Sequence, residues 1–201
     1  MFSGAQFSLY PMTSDFVPAI LRGIAALDGY GDSLRRQTDD VSTLLVGPPD
    51  LVVQAMRDAF VATAGPGGHV VLNATVSRGC PGESDDPICA APAFAAPRGD
   101  EDLVQLALSR FRPIAPAGLA CSAQISLYPL GTEAHMTRIG SCIDFLKAAG
   151  VYDKQKHFCS KLKGDAHEIF AAVERAFLDF APMHAHVVLT LTISAGSPSR
   201  F

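Results

Sequence analysis

The chain has no tryptophan, no Cys-x-x-Cys pair and no apolar run of the length that a membrane span needs, about 18 residues. We therefore expect no membrane helix. The five cysteines are odd in number, which argues against a disulfide framework or a structural zinc site and favours a reduced, cytoplasmic chain. The N-terminus lacks a basic segment leading into an apolar one, so no secretory signal is expected.

Charge is also scarce. Charged residues make up 18% of the chain, against about 25% in soluble domains. The net charge is −4 and no basic stripe is visible, so we expect no nucleic-acid partner. Because 48% of the residues are hydrophobic, disorder is excluded. A thinly charged surface indicates that part of it is covered by a second copy of the chain, and a homodimer is predicted.

The chain contains an internal repeat. Residues 5–11 (AQFSLYP) return at 123–129 (AQISLYP), with six of seven positions identical. Residues 69–79 (HVVLNATVSRG) return at 186–196 (HVVLTLTISAG), with seven of eleven identical. A duplication predicts two similar structural units rather than one continuous domain.

The repeat divides the chain into a first half, residues 4–82, and a second half, residues 121–199. Residues 83–120 between them are rich in proline and, over the first twenty, in acidic residues, which is typical of a linker. One short helix is predicted there, with Asp100 as its cap and with Leu103 and Leu106 at helical spacing.

Each half shows the order strand, helix, strand, strand, helix, strand. Two helices cover only one face of a four-stranded sheet, so the predicted fold class is α+β, with two tandem ferredoxin-like (βαββαβ) repeats whose antiparallel sheets carry helices on one face. Right-handed crossovers place the first and third strands side by side. The other face is partly apolar, so we predict that it packs on another sheet, within the chain or across a dimer.

Small hydroxyl residues mark a candidate binding site in each half. In the third strand of the second half the lysines must be solvated, so the alternate residues should face the helices: Phe158, Ser160 and Leu162. The aligned residues of the first half are Val41, Thr43 and Leu45. A buried hydroxyl needs a partner. Either it bonds a nearby backbone carbonyl, or it serves a small, flat, mostly apolar ligand between sheet and helices.

Catalytic and metal sites have weaker support. Cys80 lies in a Gly-Cys-Pro-Gly stretch, but no base is placed beside it by the sequence, and a turn is the simpler interpretation. His184 and His186 open a strand, and the first half has glycine and histidine at the aligned positions. No catalytic constellation occurs at a recognisable spacing. We therefore predict a protein that is not an enzyme, with no metal and no cofactor.

Several segments resemble the YkoF family, in order and over nearly the whole chain. They are residues 7–13 (FSLYPMT), 40–43 (DVST), 77–82 (SRGCPG), 164–167 (GDAH) and 194–200 (SAGSPSR). The resemblance implies a dimeric, non-catalytic protein that binds thiamine or its hydroxymethylpyrimidine moiety at one site per repeat. It also implies a link to precursor salvage or transport alongside a membrane transporter.

The family's ligand contacts are a leucine in the Ser-Leu-Tyr-Pro strand and a threonine in the Ser-Thr strand. By resemblance these fall on Leu9 and Thr43, and by the repeat on Leu127 and Ser160. Because the second half has serine where the first has threonine, two sites of unequal affinity, or one lost site, are expected. The alternative function is a structural or regulatory oligomeric module that binds another protein through its sheet face.

Overall fold

A computed structural model describes residues 2–80, 102–182 and 185–199. The strands are β1 (Phe2–Pro11), β2 (Arg35–Thr38), β3 (Thr43–Val46), β4 (Val70–Cys80), β5 (Ala120–Pro129), β6 (Tyr152–Gln155), β7 (Ser160–Asp165) and β8 (Val187–Ala195). The helices are α1 (Phe16–Ala25), α2 (Pro49–Ala64), α3 (Leu103–Arg110), α4 (His135–Ala148) and α5 (Ala166–Asp179), with a 3₁₀ segment at Ala26–Ser33.

The eight strands form one antiparallel sheet in the order β2-β3-β1-β4-β8-β5-β7-β6. Within each half, the first and third strands are neighbours, as the right-handed crossovers predict. The predicted fold class, α+β with tandem ferredoxin-like repeats, is confirmed.

The two halves meet edge to edge. Strand β4 pairs with β8 from Val70 opposite Ala195 to Arg78 opposite Val187. Of the two alternatives predicted for the open face, a second sheet within the chain is therefore wrong for the residues that the structure describes, and a sheet of a second copy stays a prediction. The pairing removes two exposed strand edges, each a row of unpaired N–H and C=O groups, and this is the physical reason for a shared sheet.

Alternation along the central strands separates a core face from an open face. In β4, Val70, Leu72, Ala74 and Val76 are buried under the helices. The intervening side chains are polar or half-buried and lie on the face without helices. This period of two is the pattern expected of a strand with one covered face.

A buried arginine ties the halves together on the helix side. Arg78, at the end of β4, is fully buried and its guanidinium donates to the carbonyl oxygens of Phe177, Leu178, Ala181 and Pro182 at 3.2–3.5 Å. These acceptors lie at and just beyond the carboxyl end of α5, where the helix dipole favours a cation. Burial lowers the pKa of Arg78 to about 10, so the group still carries its charge at neutral pH.

Helix α3 comes from the segment between the halves and packs on both α4 and α5. Its cap is Asp102, whose carboxylate accepts from the backbone N–H groups of Val104 and Gln105. The predicted helix exists, but the predicted cap, Asp100, lies outside the described residues. The first half has no matching insertion, and there α1 packs directly on α2.

Candidate functional site

The second half contains a cavity of about 620 Å³ between α4, the end of β5 and the β6–β7 hairpin. Small-molecule pockets have volumes of roughly 300–1,000 Å³. The α4 wall is mainly apolar and includes Met136, Ile139, Cys142, Ile143 and Leu146. Burial raises the pKa of the Cys142 thiol to about 12, so this wall is uncharged there. The cavity is large enough for a small ligand and offers it a mainly apolar surface on the α4 side.

Two of the four predicted site residues lie together in this cavity. Leu127 of β5 is buried and Ser160 is half-buried at the start of β7, and both line the walls. The Ser160 hydroxyl makes no hydrogen bond with another described residue. It is therefore free to bond a ligand, whereas Leu127 supplies an apolar surface.

The backbone of β5 adds further polar groups beside the cavity. Strand β7 pairs with β5 only as far as Ile125 opposite Ser160, whereas β8 continues along β5 to Pro129. The side of β5 that faces the hairpin therefore has no strand partner over residues 126–128. Unpaired N–H and C=O groups of such a strand edge can recognise a planar ligand with donors and acceptors.

The tip of the β6–β7 hairpin forms the cavity mouth. The Ser126 hydroxyl donates to the carbonyl oxygen of Phe158 at 3.0 Å, and the Lys156 N–H donates to the Cys159 carbonyl at 2.9 Å. The aligned contact in the first half joins Ser8 to the carbonyl of Val41 at 2.8 Å. In each half, this hydrogen bond holds the hairpin against the end of the first strand.

The prediction that Val41 and Phe158 face the helices is wrong. Their exposed fractions are 71% and 92%. Strands β3 and β7 begin only at Thr43 and Ser160, so the alternation that orients those hydroxyls does not extend back into the turn. Phe158 instead stands at the mouth of the cavity, where it is one of the wall residues.

Several other wall residues were not singled out from the sequence, namely Tyr152, Gln155, Lys156, His157 and Cys159 of the hairpin. At its rim, Lys156 Nζ donates to Gln124 Oε1 at 2.6 Å and the Cys159 thiol lies 3.5 Å from the same oxygen. The one signal that the sequence offers is that these residues come directly before the candidate hydroxyl of Ser160 in the chain.

The equivalent place in the first half is more closed. Thr43 is buried, and its hydroxyl shares a hydrogen bond of 3.0 Å with the hydroxyl of Thr38. Its partner is thus another hydroxyl, neither a backbone carbonyl nor a free ligand group. Leu9 packs towards α1: a Cβ atom built on Gly23 would lie 3.2 Å from Leu9 Cδ1. Leu9 and Thr43 therefore occupy matching positions, but the hydroxyl of Thr43 is already hydrogen-bonded and Leu9 lies against α1.

The structure adds little support for a metal site or for a cysteine nucleophile. Among the described residues, no group of three or more His, Cys, Asp or Glu side chains could hold a metal ion. Cys80 is half-buried at the end of β4, and His184 lies outside the described ranges. No helix within the described part of the chain is long and apolar enough to cross a membrane.

Comparison with known proteins gives a consistent result. A model described as "YKOF-related Family" matches residues 2–83 and 120–200, which covers both halves. The chain belongs to this YkoF-related family. The family resemblance predicted from the motifs is thereby confirmed.

A relative of this YkoF-related chain is found in Bacillus subtilis (strain 168). The two sequences are 32% identical over 198 residues, which cover 98% of this chain and 92% of the relative. The relative is named "Putative HMP/thiamine-binding protein YkoF".

Proposed function

We propose that the chain binds thiamine or its hydroxymethylpyrimidine moiety in the second-half cavity and releases it unchanged. The observation that carries the proposal is the cavity of about 620 Å³, in which Leu127 and the unpaired Ser160 hydroxyl share one wall. The name of the Bacillus subtilis relative supports the same ligand class.

The chemistry of an aminopyrimidine fits this arrangement. The ring offers acceptor nitrogens and an amine donor on an apolar disc. The unpaired edge of β5 and the Ser160 hydroxyl supply complementary groups, and Leu127 packs on the ring. Each neutral hydrogen bond contributes about 0.5–1.5 kcal/mol net, so a few of them give an affinity that is roughly micromolar or weaker. Such an affinity suits a protein that must deliver its ligand in salvage or transport.

The halves are proposed to differ in affinity. In the first half, Thr43 already bonds Thr38, and Leu9 packs beside Gly23. A ligand there must displace a hydrogen bond and widen the space under α1. The second half is therefore the tighter site, and the first half is weak or empty.

The protein is further proposed to be a cytoplasmic homodimer without catalytic activity or cofactor, functionally linked to a membrane transporter. The dimer is supported by the open face of the central strands. The middle of this open face carries uncharged side chains, including Asn73, Thr75, Thr190 and Thr192. An uncharged polar and apolar sheet face favours cover by the same face of a second copy.

Calorimetric titration with hydroxymethylpyrimidine and with thiamine tests the proposal. Ser160→Ala should raise the dissociation constant of the tighter site about fivefold to tenfold, since one hydrogen bond is lost. Thr43→Val, the matched variant of the first half, should leave that site unchanged. The proposal fails if neither compound binds, or if Ser160→Ala keeps full affinity while Thr43→Val loses it.

The second candidate is a structural or regulatory module that binds another protein through the open sheet face. The same uncharged face favours it. Absence of calorimetric heat and of a thermal shift with both compounds would move the assignment to this oligomeric module.

A further inference from the structure

A second cavity, of about 300 Å³, lies on the helix side where the two halves meet. Its walls come from α2, from α3 and the chain just after it, and from α5. Four of the wall residues are arginines: Arg57, Arg110, Arg112 and Arg175. This concentration of guanidinium groups is unexpected in a chain whose net charge is −4.

Three of these arginines pair with aspartates that lie behind the wall. Asp58 accepts from Arg57 Nε at 2.7 Å, and the buried Asp179 accepts from Arg110 at 3.0 Å and from Arg175 at 3.4 Å. Neither carboxylate is part of the cavity wall. Each aspartate therefore fixes the orientation of an arginine and leaves other N–H groups of that guanidinium available to the cavity.

The arginines outnumber the carboxylates that balance them. Among the described residues of the wall, Glu174 is the only acidic side chain, and it pairs with Arg175. Together with Asp58 and Asp179, which lie behind the wall, this gives three carboxylates for four guanidinium groups. Among the described residues Arg112 bonds only the neighbouring carbonyl oxygen of Phe111. The wall thus carries an excess positive charge.

Exposure differs among the four arginines. The side chains of Arg57 and Arg175 are only 18% and 12% exposed and lie at the base of the cavity beside their carboxylates, where charges are screened by salt much less than at the surface, whereas Arg112 is exposed at the rim. Arginine forks match the geometry of phosphate oxygens and bind them through two parallel N–H···O bonds.

We propose that this arginine-lined cavity binds a small phosphate-bearing anion. The volume lies at the lower end of the range for ligand pockets, roughly 300–1,000 Å³, which favours phosphate, pyrophosphate or a compact phosphate monoester over a nucleotide. The walls include residues from both halves, so an anion bound here also bridges α2 and α5.

Calorimetry on the full-length protein, in chloride buffers of matched ionic strength, tests the proposal with three probes: inorganic phosphate, pyrophosphate and phenyl phosphate. Saturable binding of at least one probe is expected. Tighter binding of phenyl phosphate identifies an ester site, whereas tighter binding of pyrophosphate identifies an inorganic anion site. Arg112→Gln should weaken binding about tenfold or more, because a charge-assisted hydrogen bond is removed.

Two controls keep the test decisive. Arg22→Gln removes an exposed arginine on α1 that is not in the cavity wall, and it should leave anion affinity unchanged. Arg112 has no described carboxylate partner, so its variant should also keep the melting temperature and the hydroxymethylpyrimidine affinity of the wild type. The proposal is overturned if no probe binds saturably, or if Arg22→Gln and Arg112→Gln weaken binding equally.

Discussion

Gly23 of α1 lies in direct contact with Thr63 of α2. A Cβ atom built on Gly23 would overlap the Thr63 hydroxyl oxygen and fall 2.8 Å from the carbonyl oxygen of Ala59. That hydroxyl is itself held, because it donates to Ala59 at 2.7 Å. The first half can therefore bring its two helices together only with glycine at this position. In the second half α3 packs on both helices, α4 lies farther from α5, and the cavity is open beside it.

Gly23→Ala should destabilise the protein. The new methyl group meets backbone and a hydrogen-bonded hydroxyl, neither of which can move away without cost, so α1 must shift. Overpacking of this kind costs about 1–3 kcal/mol. Urea denaturation followed by circular dichroism measures the loss.

Gly140→Ala in α4 is the matched control. A Cβ atom built there meets nothing within 4 Å, and alanine is the better helix former by about 1 kcal/mol. The variant should be neutral or more stable than the wild type. Equal destabilisation by both variants would show that the close contact of Gly23 is not what distinguishes the halves.

Ligand binding should protect Cys159 from alkylation. This half-buried thiol lines the second-half cavity, whereas Cys80 is half-buried at the end of β4. Cys142 also lines the cavity, but burial raises its pKa to about 12, so almost none of the reactive thiolate is present at neutral pH.

Peptide mapping by mass spectrometry after iodoacetamide treatment gives the readout. Saturating hydroxymethylpyrimidine should slow labelling of Cys159 several-fold and leave Cys80 unchanged, with Cys142 unlabelled in both samples. Protection of Cys80 with no effect on Cys159 would place the ligand elsewhere.

Phe158 should distinguish thiamine from its pyrimidine moiety. Thiamine carries a positively charged thiazolium ring, and an aromatic face at the cavity mouth attracts a cation by about 0.5–2 kcal/mol. Phe158→Ala should therefore weaken thiamine binding about fivefold and change hydroxymethylpyrimidine binding much less. Val41→Ala, at the aligned position of the first half, should affect neither at the tighter site. Equal weakening for both compounds in calorimetry would rule out this role for the ring.

The sequence predicts the strands well because burial on one face imposes a period of two. That period places Leu127 and Ser160 on the covered side of two paired strands, so their meeting at one cavity follows from the repeat and the strand register. The same rule fails for Phe158, because the pairing of β7 with β5 ends at Ser160. The conformation of the turn before it is set by backbone hydrogen bonds within the turn.

The difference between the halves was foreseen only from single substitutions such as Ser160 for Thr43. The structure adds a further difference, the packing of α3 on α4 and α5. Helix α3 belongs to the segment that is not repeated, so comparison of the repeats alone contains no information about it. The edge-to-edge pairing of β4 with β8 was missed for a related reason: both strands alternate in the same way whether they pair or stand at an edge.

Asp165 joins the start of α5 to the preceding chain. Its carboxylate accepts from the N–H groups of His167 at 2.9 Å, Ala117 at 2.9 Å and Leu119 at 3.0 Å. Burial alone would raise the pKa of Asp165, but these three backbone donors and the neighbouring His167 lower it below its ordinary value. The ionised form is therefore favoured in the folded protein.

Because its folded pKa is depressed, Asp165 contributes stability that is present above the unfolded pKa, about 3.9, and is lost as the pH falls through the folded value. Asp165→Asn removes the charge and replaces one accepting oxygen by a donor, so it should lower the free energy of unfolding by about 1–2 kcal/mol at neutral pH. The difference from the wild type should shrink as the pH falls from about 4 through the lower, folded pKa of Asp165, because the wild-type carboxylate becomes protonated over that range. Asp15→Asn is the matched control, because Asp15 caps α1 without a side-chain hydrogen bond and its variant should stay close to the wild type throughout. Denaturation curves between pH 3 and 7 measure both; a pH-independent difference for Asp165→Asn would show that its charge does not stabilise this junction.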